Sequence, residues 1–195
     1  MKEEMEVEKE QVGTDFFRSY YKDYILAETV GPDGIARNEF VYNGKRYGPA
    51  VSGGCFLLLK LTHSVFFCVM LSGIVLSNLI PVAFNISKVA AVPMFVLIFM
   101  MVLRLFALFF YWSAPLKMRE WDHRHGPKRL RGTSLLCAVA NFALFVTYLV
   151  LMVVTRTYSV DAVKLLLLQF PSTLSAFAAY QIEKKLDYAG KTCAD

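Results

Sequence analysis

Apolar positions in this chain do not recur at helix or strand spacing around a compact core but crowd into four long runs, at residues 56–80, 89–112, 135–154 and 163–182. A helix needs about 20 apolar residues to cross a hydrocarbon layer roughly 30 Å thick, and each run meets that length. The pattern predicts an all-α membrane protein with four transmembrane helices at 54–182. Short polar connections at 81–88 and 155–161 predict that the helices pair as two antiparallel hairpins.

The stretch ahead of the first run has a different rhythm. Residues 1–13 read as an acidic flexible N-terminus, and 14–53 as a small module of amphipathic helix and β-hairpin. In 15–26 the aromatics Phe16, Phe17, Tyr20, Tyr21 and Tyr24 fall in one helical sector, opposite Arg18, Ser19, Lys22 and Asp23, with Thr14 as N-cap. Such a helix suits the membrane interface or the face of the following hairpin. From Tyr24 the pattern turns to β. Strands are expected at 24–30 and 35–42 around the turn Gly31-Pro32-Asp33-Gly34, and a third at 45–47 after Asn43-Gly44. A meander of two or three strands is marginal alone and calls for support from the helix, the membrane surface or a partner. Residues 183–195 read as a polar tail.

Charge then orients the chain. Hydrophobic residues make up 56% of the sequence and the net charge is +5, yet residues 1–53 hold ten acids against seven bases, so the basicity lies elsewhere. It lies in the loop between the second and third runs, where Lys117, Arg119, Arg124, Lys128, Arg129 and Arg131 face only Glu120 and Asp122. Lys45, Arg46, Lys184, Lys185 and Lys191 fall on that same side, against Lys88, Arg156 and Lys164 on the other. The positive-inside bias therefore puts both termini in the cytoplasm, and the loop explains itself as a topology signal rather than a nucleic-acid site. The six loop bases are also the candidate contacts for anionic lipid headgroups. The first apolar run comes too late for a cleavable signal peptide, so it is expected to stay as an anchor, in the plasma membrane. Cys55, Cys68, Cys137 and Cys193 show no paired spacing, so neither a disulfide framework nor a metal is expected.

Ionisable residues inside spans are costly and are the first candidates for a site. Lys60 and His63 fall in the cytoplasmic third of the first span and Arg104 about eight residues inside the second. Counted from Thr133, Asn141 reaches the same depth, so His63, Arg104 and Asn141 are expected to share a layer. No Asp or Glu falls within the four spans as drawn, which leaves Arg104 without a carboxylate of its own chain and argues against a proton-coupled transporter. Arg104 and Lys60 then either snorkel to headgroups or meet an acid on a partner, a lipid or an anionic ligand. The fourth span carries a polar face of Gln169, Ser172, Thr173, Tyr180 and Glu183, with a kink expected at Pro171. That face should be buried against protein. With Gly73 and Ser77, its small residues allow close helix approach, within one chain or between chains.

Catalytic patterns are thin. Gly190-Lys191-Thr192 lacks the strand and glycine spacing of a phosphate loop, and Asp122-His123-Arg124-His125 gathers too few ligands for a metal. Asn85-Ile86-Ser87 matches a glycosylation sequon in a loop too short to hold a glycan clear of the bilayer, and Cys193 misses the prenylation position. The reading is a non-enzymatic accessory or interaction subunit without cofactor, engaging a membrane or cytoplasmic protein partner. Two other readings stand beside it: a small homo-oligomeric transporter or channel for a polar or anionic solute, with Arg104 or Gln169 on the path, and a lipid-headgroup enzyme using His123 or His125.

Overall fold

The computed structural model of the chain describes residues 24–30, 36–83 and 87–191. The aromatic helix expected at 15–26 lies outside the described residues up to Asp23, as do the turn at 31–34 and most of the sequon. The protein is mostly helical, with four helices long and apolar enough to cross a membrane and a small β region of two sheets.

The four long helices are α1 (Gly53–Leu79), α2 (Lys88–Ser113), α4 (Pro127–Val154) and α5 (Val160–Lys185), with a short α3 (Glu120–His125) between the second and third. Each start has a local cause. Ser52, Ser87 and Ser159 are N-caps whose hydroxyls accept from the backbone N–H of Cys55, Ala90 and Ala162. At α4 the proline at the first helical position follows Gly126, and needs no N–H partner there. That helix closes through Arg156, whose φ of 52° lies in the left-handed region common just past helix ends. It starts eight residues earlier than the apolar run, because Lys128, Arg129 and Arg131 are good helix formers at its solvent end. α5 runs unbroken through Pro171.

Helix contacts run in opposite directions along neighbouring elements. Lys60 meets Trp112 while Asn78 meets Met94 between α1 and α2; His63 meets Glu183 while Met70 meets Ser172 between α1 and α5. α4 packs along both α2 and α5, so the long helices form one bundle. Met70, Leu97, Leu144, Tyr148 and Leu165 belong to a core running from its middle to the far end, and Phe56, Tyr111, Met118 and Leu130 fill the other end. The outside carries many large apolar side chains: Phe95 is 72% exposed, Phe109 69% and Leu167 65%. Water would penalise that surface heavily, whereas lipid tails would not. Hydroxyls on this surface turn back onto their own helix, as Thr62 to the Leu58 carbonyl, Ser72 to Cys68 and Thr147 to Ala143. This suits a solvent that offers no hydrogen bonds.

β1 (Tyr24–Val30) and β2 (Ala36–Tyr42) form the expected antiparallel hairpin, with Tyr24 opposite Tyr42 and Val30 opposite Ala36. This hairpin belongs to a unit of its own, ending at Lys45. The third strand is a correction. β3 (Arg46–Pro49) does not continue the meander but belongs to the helical unit, between β4 (Met118–Arg119) and β5 (Tyr188–Lys191), antiparallel to both. This sheet joins the segment before α1, the connection after α2 and the segment after α5. All three therefore lie at one end of the bundle, the end holding Lys60, Arg104 and Glu183.

Candidate functional site

Polar side chains buried in the bundle gather mainly below this three-stranded sheet. Lys60 is 8% exposed and does not snorkel: its Nζ donates to the carbonyls of Trp112 at 2.9 Å and Ala114 at 2.7 Å, and stands 4.6 Å over the Phe56 ring. It thereby satisfies carbonyls that the end of α2 leaves without helical partners, with its charge at the favourable pole of that helix. Trp112 returns a contact to α1, its indole N–H donating to Ser64 Oγ at 2.8 Å.

Arg104 is fully buried. Its Nη1 donates to Ser134 Oγ at 2.6 Å, and Ser134 in turn donates to the Leu130 carbonyl, while Nε and Nη2 have no partner among the described residues. The guanidinium interacts electrostatically with Glu183. This overturns the expectation that the chain supplies no acid: α5 continues to Lys185, and Glu183, 2% exposed, lies in its last turn facing inward. Glu183 Oε1 stands 3.1 Å from His63 Nε2, at ion-pair distance but off the line of a hydrogen bond, and its Oε2 accepts from the Tyr188 hydroxyl at 3.1 Å. The His63 ring meets Tyr111 edge-on at 5.5 Å. Burial, reinforced by the neighbouring Glu183 carboxylate, pushes the Tyr188 phenol well above its ordinary range, so it remains a donor at neutral pH.

Asn141 does not share that layer. α4 begins at Pro127, so Ser134 and not Asn141 is level with Arg104, and Asn141 lies about 10 Å further along the helix. There Asn141 Oδ1 accepts from Gln169 Nε2 at 2.9 Å, and Asn141 Nδ2 donates to the Cys137 carbonyl. Next to this pair on α5, the Ser172 hydroxyl donates to the Met70 carbonyl at 3.1 Å, where Gly73 lets α1 approach. Gln169, Ser172, Ala176 and Glu183 are all buried, so the polar face of the fourth span is indeed turned against protein, within this chain.

The six loop bases, Lys117, Arg119, Arg124, Lys128, Arg129 and Arg131, are all exposed, spread from β4 through α3 to the first turns of α4. His123 and His125 are drawn apart: His123 stacks on Tyr47 at 4.5 Å and His125 on Trp121 at 4.3 Å, with His125 Nδ1 donating to the Trp121 carbonyl at 2.9 Å. No family model matches the chain, and neither a curated protein nor a solved structure does. The geometry itself has one chemical character. Lys60, His63, Arg104, Asn141 and Gln169 each meet a group of another element of the same chain: the Trp112 and Ala114 carbonyls for Lys60, Glu183 for His63, Ser134 for Arg104, and one another for Asn141 and Gln169. The place of Glu183 on a buried face was legible from its sharing that face with Gln169, Ser172 and Ala176, spaced by three, four and seven residues.

Proposed function

We propose that the chain is a non-enzymatic accessory subunit of the plasma membrane, whose bundle is an anchor and whose N-terminal hairpin engages a protein partner. In this reading the four helices form two antiparallel hairpins, both termini are cytoplasmic, and the exposed loop bases face anionic headgroups, as the positive-inside bias requires. The observation that carries it is the hairpin of β1 and β2. Ile25 is 49% exposed, Leu26 58% and Phe40 69%, and the register pairs Leu26 with Phe40 and Ile25 with Val41 on opposite faces of the ribbon. A two-stranded ribbon is marginal in water, and apolar residues on both faces are those of a strand pair that finishes its folding against another surface. The bundle supports the same reading from the other side. The polar residues a transporter would turn toward a pathway are taken up in contacts between this chain's own helices, and the two histidines of the enzyme reading are held in separate ring stacks.

The test is the protein content of the particle purified from its native membrane in mild detergent. The wild type should carry a second protein in fixed stoichiometry, and replacement of residues 24–42 by a Gly-Ser linker should remove it while membrane retention and helix content stay unchanged. A wild-type particle made of this chain alone would refute the accessory reading and bring flux measurements on liposomes to the front.

A further inference from the structure

We infer that the outer face between α4 and α5 is a binding site for one anionic glycerophospholipid, its acyl chain in an aromatic groove and its phosphate between Arg131 and Lys184. The groove has a volume of about 430 Å³ and is lined by apolar side chains, among them Leu135, Val139, Phe142, Phe145, Phe170 and Phe177. Phe145 and Phe170 close it at the far end, with ring centroids 6.3 Å apart. From Leu135 to Phe145 it is roughly 15 Å long, the reach of one leaflet of a hydrocarbon core about 30 Å thick. An acyl chain entering from the sheet end therefore fills it and goes no further.

The headgroup follows from what stands at the open end. On α4 the groove residues Phe142, Val139 and Leu135 lie three or four apart, and the next position on that face is Arg131. On α5 the series Phe170, Leu174, Phe177 continues through Gln181 to Lys184. The two helices run in opposite directions, and fourteen residues back from Phe145 and fourteen on from Phe170 stand these two bases, so they flank the same mouth. Both are exposed, and neither is in an ion pair among the described residues. Two unpaired cations over a one-leaflet apolar slot complement a phosphodiester with no compensating choline or ethanolamine charge. The inference rests on the membrane placement proposed above but not on the accessory role.

The experiment is native mass spectrometry of the detergent-purified protein with dioleoyl phosphatidylglycerol or dioleoyl phosphatidylcholine. The wild type should retain phosphatidylglycerol on the order of 30-fold better, about fivefold for each base near the headgroup. R131Q/K184Q should reduce that ratio to near one, whereas K88Q/R156Q, which removes the same charge from the other end of the bundle, should leave it unchanged. Val139 is 60% exposed, so V139W fills the groove without disturbing the core and should lose both lipids. Equal retention of the two lipids by the wild type, an unchanged ratio in R131Q/K184Q, or full lipid binding by V139W would each overturn the inference. Release of the wild type from membranes by alkaline carbonate would overturn the membrane placement and this inference with it; firm membrane retention without lipid preference overturns this inference alone.

Discussion

Substituting Gly73 by alanine tests how tightly the bundle closes. A Cβ at this position on α1 would press on the Ser172 hydroxyl and come within 3.0 Å of the Ser172 Cβ, with the Leu168 carbonyl 3.4 Å away. Ser172 can turn aside only by giving up its 3.1 Å bond to the Met70 carbonyl. Overpacking of this kind costs about 1–3 kcal/mol, and a hydrogen bond between membrane helices adds about 0.6 kcal/mol. Alanine's better helix propensity returns up to about 1 kcal/mol. The net expectation for G73A is a loss of about 1–3 kcal/mol, read as a lower midpoint in reversible unfolding by dodecyl sulfate in mixed micelles, followed by circular dichroism. Gly132 on α4 is the internal control: nothing lies within 4 Å of a Cβ there, so G132A should be neutral or stabilising. S172A should cost only about 0.6 kcal/mol, and because it removes the atom that clashes first, G73A/S172A should be less destabilised than the two losses added together. If G73A matches the wild type, or the two changes add, the close approach of α1 and α5 is not as described.

The same unfolding assay checks two further substitutions. K60M removes the donor to Trp112 and Ala114 and should cost about 2–3 kcal/mol, as loss of a charged donor to buried acceptors does; a change under about 0.5 kcal/mol would show that those carbonyls find other donors. R104Q and E183Q each leave one buried charge without its counterpart and should each cost about 2–3 kcal/mol, less than the loss of a direct ion pair because no direct contact joins them, while R104Q/E183Q should recover part of the loss. Full additivity of the two would mean that they do not sense one another.

The helices were legible because a membrane span is a property of one continuous window, and apolar run length alone places α1, α2, α4 and α5 within a few residues, except at the start of α4, which lies eight residues before its run. The hairpin of β1 and β2 was legible for a similar reason, since its turn residues and alternating strands are local. What the sequence concealed was long-range. β4 is two residues long and β5 four, and neither has a pattern until β3 stands beside it, so Arg46 and Tyr47 were assigned to the nearest strand in sequence. Glu183 was placed on the buried polar face, but its part as the chain's own acid beside His63 was missed for an energetic reason. Lys184 and Lys185 beside it mark the membrane boundary, and a hydropathy window cannot show that one residue of a charged cluster turns inward to His63 and Tyr188. Asn141 was misplaced because the depth count began at Thr133, whereas α4 begins at Pro127 in the basic segment before it.

The sheet of β4, β3 and β5 also has an order in time. β3 emerges from the ribosome before any of the long helices, its first partner follows only after two of them, and its second partner follows the last. Synthesis from the N-terminus thus leaves one edge of β3 unsatisfied until α5 has been made and its end has returned to the side where β3 waits. Tyr188 joins that last strand to Glu183 at the end of α5. A chain released early, or one whose fourth helix stays out of the bundle, keeps that edge open, and an open strand edge is the kind of surface that aggregation and cellular quality control act on.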